Sequence, residues 1–354
     1  MARITAVGTA VPPHVLQQEE IREFARRLFA HSFRNIDLLL PIFRNGQVHT
    51  RHFCVPLEWF GVPHTFAEKN ALFQEWAVRL GMEAVKNCLT QASLHASAID
   101  HIFFVTTTGI ATPSIDSRIM NELGMNPHTK RTPIWGLGCA GGAAGLSRAR
   151  DYVTAYPKER VLLVAVECCG LTFQYEDRSK SNLVATSLFA DGAAAVLIEG
   201  SECASSGSGG LEIIDTMSTL WEDTPDVMGW EVNEYGLKVI FSRDIPTLVH
   251  QLFRPNMEAF LARHRMTGSD IHHFITHPGG RKVIEAYADM AGVDLACFSH
   301  ALHILRCFGN MSSVTVLFVL QAFLRQGIEP DEHGIITALG PGFSSELLLV
   351  KGGR

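Results

Sequence analysis

Trp135-Gly-Leu-Gly-Cys139-Ala-Gly-Gly142 sets a cysteine among glycines where an apolar strand gives way to a helix-length stretch. The run before it, Thr132–Leu137, reads as a strand, and Cys139–Tyr156 reads as a helix with apolar residues at helical spacing. Val161–Val166 and Ala193–Glu199 follow as strands with no polar alternation, the pattern of a strand covered on both faces. The same order of turn, helix, strand and strand returns later. Cys307-Phe-Gly-Asn310-Met-Ser-Ser313 leads into a helix over Ser312–Gln326, then into Gly334–Leu339 and Glu346–Lys351. This echo predicts a duplicated α/β unit in which Cys139 and Asn310 hold equivalent places, each at the N-terminal end of a buried helix, and meet near a pseudo-twofold axis.

Working outward, strands are expected at Arg3–Val11, Ile102–Thr107, Leu211–Leu220 and His273–Thr276. Helices are expected at Gln17–Phe29, Ala67–Gln91, Ser114–Leu123, Ile245–His264 and Arg281–Ala291. Strands alternating with helices imply an α/β fold with covered, largely parallel strands. A polar stretch, Gly200-Ser-Glu-Cys-Ala-Ser-Ser-Gly-Ser-Gly-Gly210, divides the chain into halves at 1–203 and 211–354. The 354 residues suit two units at roughly 150 residues each.

Composition excludes several classes. With 47% hydrophobic and 19% charged residues the chain is not intrinsically disordered. A net charge of −6 and the lack of a Lys/Arg run argue against a nucleic-acid partner. The most apolar stretch, Val314–Leu324, is interrupted by Thr315 and Gln321 and ended by Arg325, too short to span a bilayer. The N-terminus reads as a first strand rather than a secretory leader. Eight cysteines without a C-x-x-C pattern imply free thiols and a cytoplasmic protein. No Walker loop, His-Glu-x-x-His or strand-linked Gly-x-Gly-x-x-Gly is present, so neither zinc nor a nucleotide redox cofactor is implied.

Three residues stand out chemically. The glycines around Cys139 permit a tight turn and close approach of a substrate, and a helix N-terminus favours the thiolate that attacks acyl carbonyls. His277, in Thr276-His-Pro-Gly-Gly-Arg281, projects from a strand's carboxyl end, where α/β sites gather. Asn310 is a good helix N-cap, and beside a thiol and an imidazole its amide can donate to an oxyanion or enolate.

Gly136-Leu-Gly-Cys139-Ala-Gly-Gly, Leu188-Phe189-Ala-Asp-Gly-Ala-Ala-Ala195, His277-Pro-Gly-Gly, Gly309-Asn310-Met-Ser-Ser and Gly340-Pro-Gly-Phe, in this order, resemble the chalcone synthase-like type III polyketide synthases. The resemblance runs from about Arg3 to Val350. It implies the duplicated thiolase-like fold with mixed sheets, a homodimer, and no cofactor beyond coenzyme A thioesters as substrates. Cys139 would accept the acyl group from an acyl-CoA starter, with His277 as an imidazolium favouring its thiolate. His277 and Asn310 would bind the thioester carbonyl and stabilise the enolate left by malonyl-CoA decarboxylation. Phe189 matches an aromatic wall beside the malonyl carboxylate, and Thr107, Thr108, Thr172 and Ser312 match positions that shape the cavities. Val239 stands where the plant enzymes carry a gatekeeper Phe and would open space, whereas Trp230 would fill space that is open in the plant relatives. The family's coenzyme A lysines are missing, and Arg44, Arg281 and Lys282 are the substitutes.

The resulting expectation is a bacterial-type synthase that extends a long-chain starter and cyclises it to an alkylpyrone or alkylresorcinol. The alternatives are a ketoacyl synthase III-like enzyme using acyl carrier protein, a papain-like cysteine hydrolase with the same Cys, His, Asn order, and a silent binding protein on the same fold.

Overall fold

The structure, a computed structural model, describes residues 2–203, 209–241 and 245–353. Residues 204–208 of the dividing segment lie outside them. The strands are β1 (Ala2–Ala10), β2 (His14–Gln17), β3 (Thr50–Phe53), β4 (His101–Thr106), β5 (Lys130–Trp135), β6 (Arg160–Cys168), β7 (Asp191–Glu199), β8 (Leu211–Leu220), β9 (Met228–Asn233), β10 (Gly236–Phe241), β11 (Ile271–Thr276), β12 (His333–Gly340) and β13 (Ser344–Gly352).

Nine of them form one sheet in the order β11-β12-β13-β8-β1-β7-β6-β4-β5. The order repeats outward from its centre. β1 and β8 pair antiparallel; β7 and β13 flank them antiparallel, then β6 and β12 antiparallel again, and then β4 and β11 parallel. The duplicated α/β unit read from the echo is therefore present, but the expectation of largely parallel strands is corrected. Five of the sheet's eight pairings are antiparallel. The physical reason is visible at β12 and β13, which are joined by Pro341–Phe343 alone, whereas a parallel pair needs a crossover of a dozen or more residues.

Side chains alternate between two apolar layers. On β6, Val161, Leu163 and Ala165 enter one core while Leu162, Val164 and Val166 enter the other. The first core holds the two helices of the echo, Gly141–Ala155 and Thr315–Gln326; the second holds the long helix Phe66–Ala92. Glycine sets the closeness of the two halves, because a Cβ on Gly142 would stand 2.2 Å from the Ser313 carbonyl oxygen. The segment read as one helix over Ile245–His264 divides into α-helix Ile245–Leu248, a π-helical turn Val249–Phe253 and α-helix Arg254–Ala262. β2, β3, the β9–β10 hairpin and the helices Lys180–Leu188 and Ser299–Phe308 are additional to the elements expected.

The sheet also contains a pH-dependent group. His101 is 6% exposed, stacks on Phe103 with ring centroids 4.4 Å apart, and its Nε2 lies 2.9 Å from Thr132 Oγ1. Burial pushes its imidazole down to about 4. As pH falls from 6.5 toward 4, the unfolded chain takes up a proton that the folded chain refuses, so this contribution to stability is lost in that window. With allowance for solvent screening, the loss between pH 7 and pH 5 is about 1–2 kcal/mol. His101→Gln should show a smaller drop in Tm between those two pH values than the wild type, measured by calorimetry.

Candidate active site

Cys139 sits in a 3-10 turn, Gly138–Ala140, that runs directly into helix Gly141–Ala155. Gly136 and Gly138 take positive φ of 90° and 48°, which a side chain would resist. The turn is pinned from below by Gly138 N–H donating to Thr107 Oγ1 at 3.0 Å and from above by Gly340, where a Cβ would meet Ala140 at 2.6 Å. The thiol meets the side chains of Ser312 and Asn310, both of which favour its ionised form. Burial outweighs them and pushes the thiol up to about 12, with Glu167 acting in the same direction.

Asn310 is fixed on every side. Its backbone N–H donates to Leu188 O at 2.8 Å and its carbonyl accepts from Ala190 N–H at 2.9 Å, so it pairs with Phe189 as a single parallel bridge. Its Oδ1 accepts from Ser312 N–H at 2.8 Å, and its Nδ2 donates to Gly279 O at 3.1 Å. One amide hydrogen is thereby committed and the other faces the Cys139 thiol, where a substrate oxygen would enter.

His277 follows β11, with its backbone N–H donating to Thr337 O at 2.8 Å. The loop it opens carries Gly279, the residue bound to the Asn310 amide. The ring is 4% exposed, and among the described residues neither nitrogen has a hydrogen-bond partner. Burial pushes it down to about 3. Burial with no carboxylate facing the ring favours the neutral imidazole over the imidazolium that the resemblance implies. A neutral imidazole can take the thiol proton, whereas an imidazolium cannot.

Beneath the thiol lies a buried carboxylate that the sequence reading missed. Glu167 Oε2 accepts from Thr107 N–H, Thr108 N–H and Thr108 Oγ1 at 3.0, 3.1 and 2.9 Å, and Oε1 accepts from Ser313 Oγ at 2.7 Å. The Thr107 and Thr108 hydroxyls are therefore spent inside this network, on Gly138 and Glu167. The signal for it was an acid closing the otherwise apolar run Val161–Val166.

An apolar cavity of about 50 Å³ lies next to Phe189, the residue bridged to Asn310; Cys139, His277 and Asn310 are not among the residues that line it. Phe189, Thr172 and Val239 line it, together with Cys169, Trp230 and the rings of Phe24, Phe53 and Phe60. Val239 stands directly opposite Trp230 in the β9–β10 ladder, and the Trp230 ring lies 5.8 Å from that of Phe189, so the large residue occupies space the small one leaves. The vicinal cysteines divide their roles: Cys169 lines the cavity, while Cys168 faces Cys54 with the sulfurs 3.7 Å apart. Buried Arg51 holds the gate from behind, Nη1 donating to Phe189 O at 2.7 Å and Nη2 to Gln18 Oε1 at 2.8 Å. Arg44, Arg281 and Lys282 lie outside the cavity, on two surface grooves that share Arg281; the second is also lined by Gly279 and Gly280 of the His277 loop.

Residues 1–202 match the model of the chalcone and stilbene synthases' N-terminal domain, and residues 212–353 match that of their C-terminal domain. The chain belongs to the chalcone and stilbene synthase family. It is 48% identical to a Bacillus subtilis (strain 168) protein named after chalcone synthase, over 99% of this chain and 98% of that one. It is 36% identical to the 1,3,6,8-tetrahydroxynaphthalene synthase of Streptomyces peucetius subsp. caesius, over 98% of this chain and 92% of that one. Its fold is that of the crystallised 1,3,6,8-tetrahydroxynaphthalene synthase of Streptomyces coelicolor A3(2), a bacterial type III polyketide synthase. There the TM-score is 0.94 at 29% identity, with 99% of each chain covered. As a chalcone and stilbene synthase family member the chain is a type III polyketide synthase, an acyltransferase-type condensing enzyme with the thiolase-like fold. Enzymes of this family use acyl-CoA and malonyl-CoA and need no cofactor beyond these thioesters. No helix among the described residues is long and apolar enough to cross a membrane.

Proposed function

We propose that this enzyme loads a long-chain acyl-CoA starter on Cys139, extends it with malonyl-CoA and cyclises the chain to an alkylpyrone or alkylresorcinol. The observation that supports the starter is the apolar cavity walled by Phe24, Phe53, Phe60 and Phe189, whose Phe189 is bridged to Asn310 of the site. In loading, the Cys139 proton passes to neutral His277 as sulfur attacks the thioester carbonyl. Coenzyme A then leaves as a thiol, taking that proton back. In extension, malonyl-CoA loses CO₂ and its enolate oxygen accepts from His277 and the second Asn310 amide hydrogen. The enolate carbon then displaces the cysteine sulfur from the acyl group. Phe189 gives the departing carboxylate an apolar neighbour that favours CO₂ over the anion.

Residues 1–203 supply the nucleophile in this scheme and 211–354 the two donors. Arg44, Arg281 and Lys282, on grooves that meet at Arg281, would take the coenzyme A phosphates. The substrates, together with eight unpaired cysteines, favour a cytoplasmic enzyme. A homodimer would cover β5, the sheet's edge, beside which Trp135, Ile110 and Leu137 are exposed. Light scattering on the purified protein tests that part.

Incubation with labelled malonyl-CoA and acyl-CoAs from acetyl to stearoyl, read by mass spectrometry, tests the product. Pyrone or resorcinol masses carrying the long acyl chain are expected. The 36% identity to a tetrahydroxynaphthalene synthase favours a second reading, a ten-carbon aromatic with no alkyl chain. Tetrahydroxynaphthalene formed from malonyl-CoA alone would establish it. A single condensation that requires acyl carrier protein would overturn both. In the same assay Asn310→Ala should lower kcat roughly 10²-fold, the usual cost of one oxyanion donor.

A further inference from the structure

The β9–β10 hairpin forms its own two-stranded sheet, apart from the nine-stranded one. Such a hairpin is marginal in water unless something else holds it. Its strands carry Trp230 and Val239 onto the cavity, where they pack on Phe189 and Cys169. Its tip is held by an unusual group. Lys69, on the first turn of helix Phe66–Ala92, is 5% exposed, and its ammonium donates to Phe173 O at 2.7 Å and to Tyr235 O at 2.9 Å. Among the described residues no carboxylate pairs with it. Burying a cation on neutral carbonyls alone is costly, and burial lowers its pKa to about 8. The two carbonyls belong to different segments, one to Phe173, which lines the cavity, and the other to the turn of the hairpin that carries Trp230 and Val239. A second tie lies beside the first: Gln174 and Asn233 exchange both amide hydrogen bonds, at 3.1 and 3.2 Å.

We propose that Lys69 is a positioning residue for starter specificity: it latches the tip of the hairpin to the Phe173 segment and so fixes Trp230 and Val239 against Phe189. The hairpin is then a wall whose placement, and with it the room for an acyl chain, depends on a group outside the cavity lining. This rests on the cavity being the acyl site, and the experiment separates the two claims.

Lys69→Met keeps the length and apolar stem of the side chain and removes the donors. Hydrogen exchange over Gly229–Phe241 should lose protection about tenfold or more, the scale set by hydrogen bonds from a charged donor. With acyl-CoA starters from acetyl to stearoyl, KM for the long chains should rise about tenfold while kcat stays within about twofold and the acetyl values do not move. Asn233→Ala, which removes the neutral tie together with the hydrogen bond that Asn233 Oδ1 accepts from Tyr235 N–H in the turn, should shift both readouts the same way, and it serves if Lys69→Met does not fold. Unchanged protection in a folded Lys69→Met would overturn the latch. Lost protection with unchanged starter preference would overturn its role in specificity. A wild type that rejects long starters would overturn the acyl reading of the cavity and leave the exchange result to judge the latch.

Discussion

Cys139→Ala is expected to form no acyl-enzyme and to lose product formation by at least about 10³-fold, because no neighbouring group replaces a covalent nucleophile. The argument is one of placement. Seven other cysteines are present, and Cys169 lines the neighbouring apolar cavity. Only Cys139 combines a helix N-terminus with contacts from Ser312 and Asn310 that favour its ionised form. Burial pushes Cys54 and Cys169 far up, with nearby acids adding to it. Burial raises Cys139 as well, so what sets it apart is the pair of contacts from Ser312 and Asn310 that offsets part of that rise. Acyl-CoA labelling followed by mass mapping should therefore place the acyl group on Cys139 in the wild type and in Cys169→Ala, and nowhere in Cys139→Ala. Labelling that survives Cys139→Ala but vanishes in Cys169→Ala would transfer the nucleophile's role. Circular dichroism should be unchanged, since the substitution removes one sulfur at a position that is 8% exposed.

The site was legible where local pattern and chemistry coincide. Cys139 was visible because a turn bounded by glycines, set between a strand and a helix, leaves few structural reasons for a thiol. Asn310 was visible because its surroundings echo those of Cys139. β6 and β7 were visible because strands buried on both faces read as unbroken apolar runs. What escaped depends on partners far away in the chain. Helix Lys180–Leu188 carries the poor helix formers Ser181, Asn182, Val184, Thr186 and Ser187 among its nine residues and is started by the Ser179 side chain accepting from Asn182 N–H. The β9–β10 hairpin does alternate, Met228, Trp230 and Val232 against Gly229, Glu231 and Asn233, but its anchor, Lys69, lies 166 positions from Tyr235. The form His277 takes is likewise out of reach of local pattern: sequence shows which residue is present, and burial without a facing carboxylate disfavours its cation.

Glu167 is the sharpest case of a residue whose role exists only in the fold, and Glu167→Ala should destabilise the protein by about 3–5 kcal/mol. Its carboxyl is completely buried and accepts hydrogen bonds from Thr107 and Thr108 in one half and Ser313 in the other, across up to 146 positions of sequence. Alanine would leave the Thr107 and Thr108 N–H groups buried without an acceptor, at about 1–3 kcal/mol each, and would open a void beneath the nucleophile. Glu167→Gln separates shape from donors and acceptors. It keeps the volume and one carbonyl oxygen, so the amides can still be served, while its NH₂ meets a hydrogen that the carboxylate had accepted. It should therefore lose distinctly less stability than alanine in urea unfolding. The network also bears on chemistry, since Glu167 opposes ionisation of Cys139 while Thr107, bound to Glu167 through its backbone, holds the Gly138 N–H. In folded Glu167→Gln the thiol should ionise more readily and react faster with iodoacetamide at neutral pH. Slower alkylation would mean that the turn had moved, and that Glu167 acts on Cys139 through position rather than through charge.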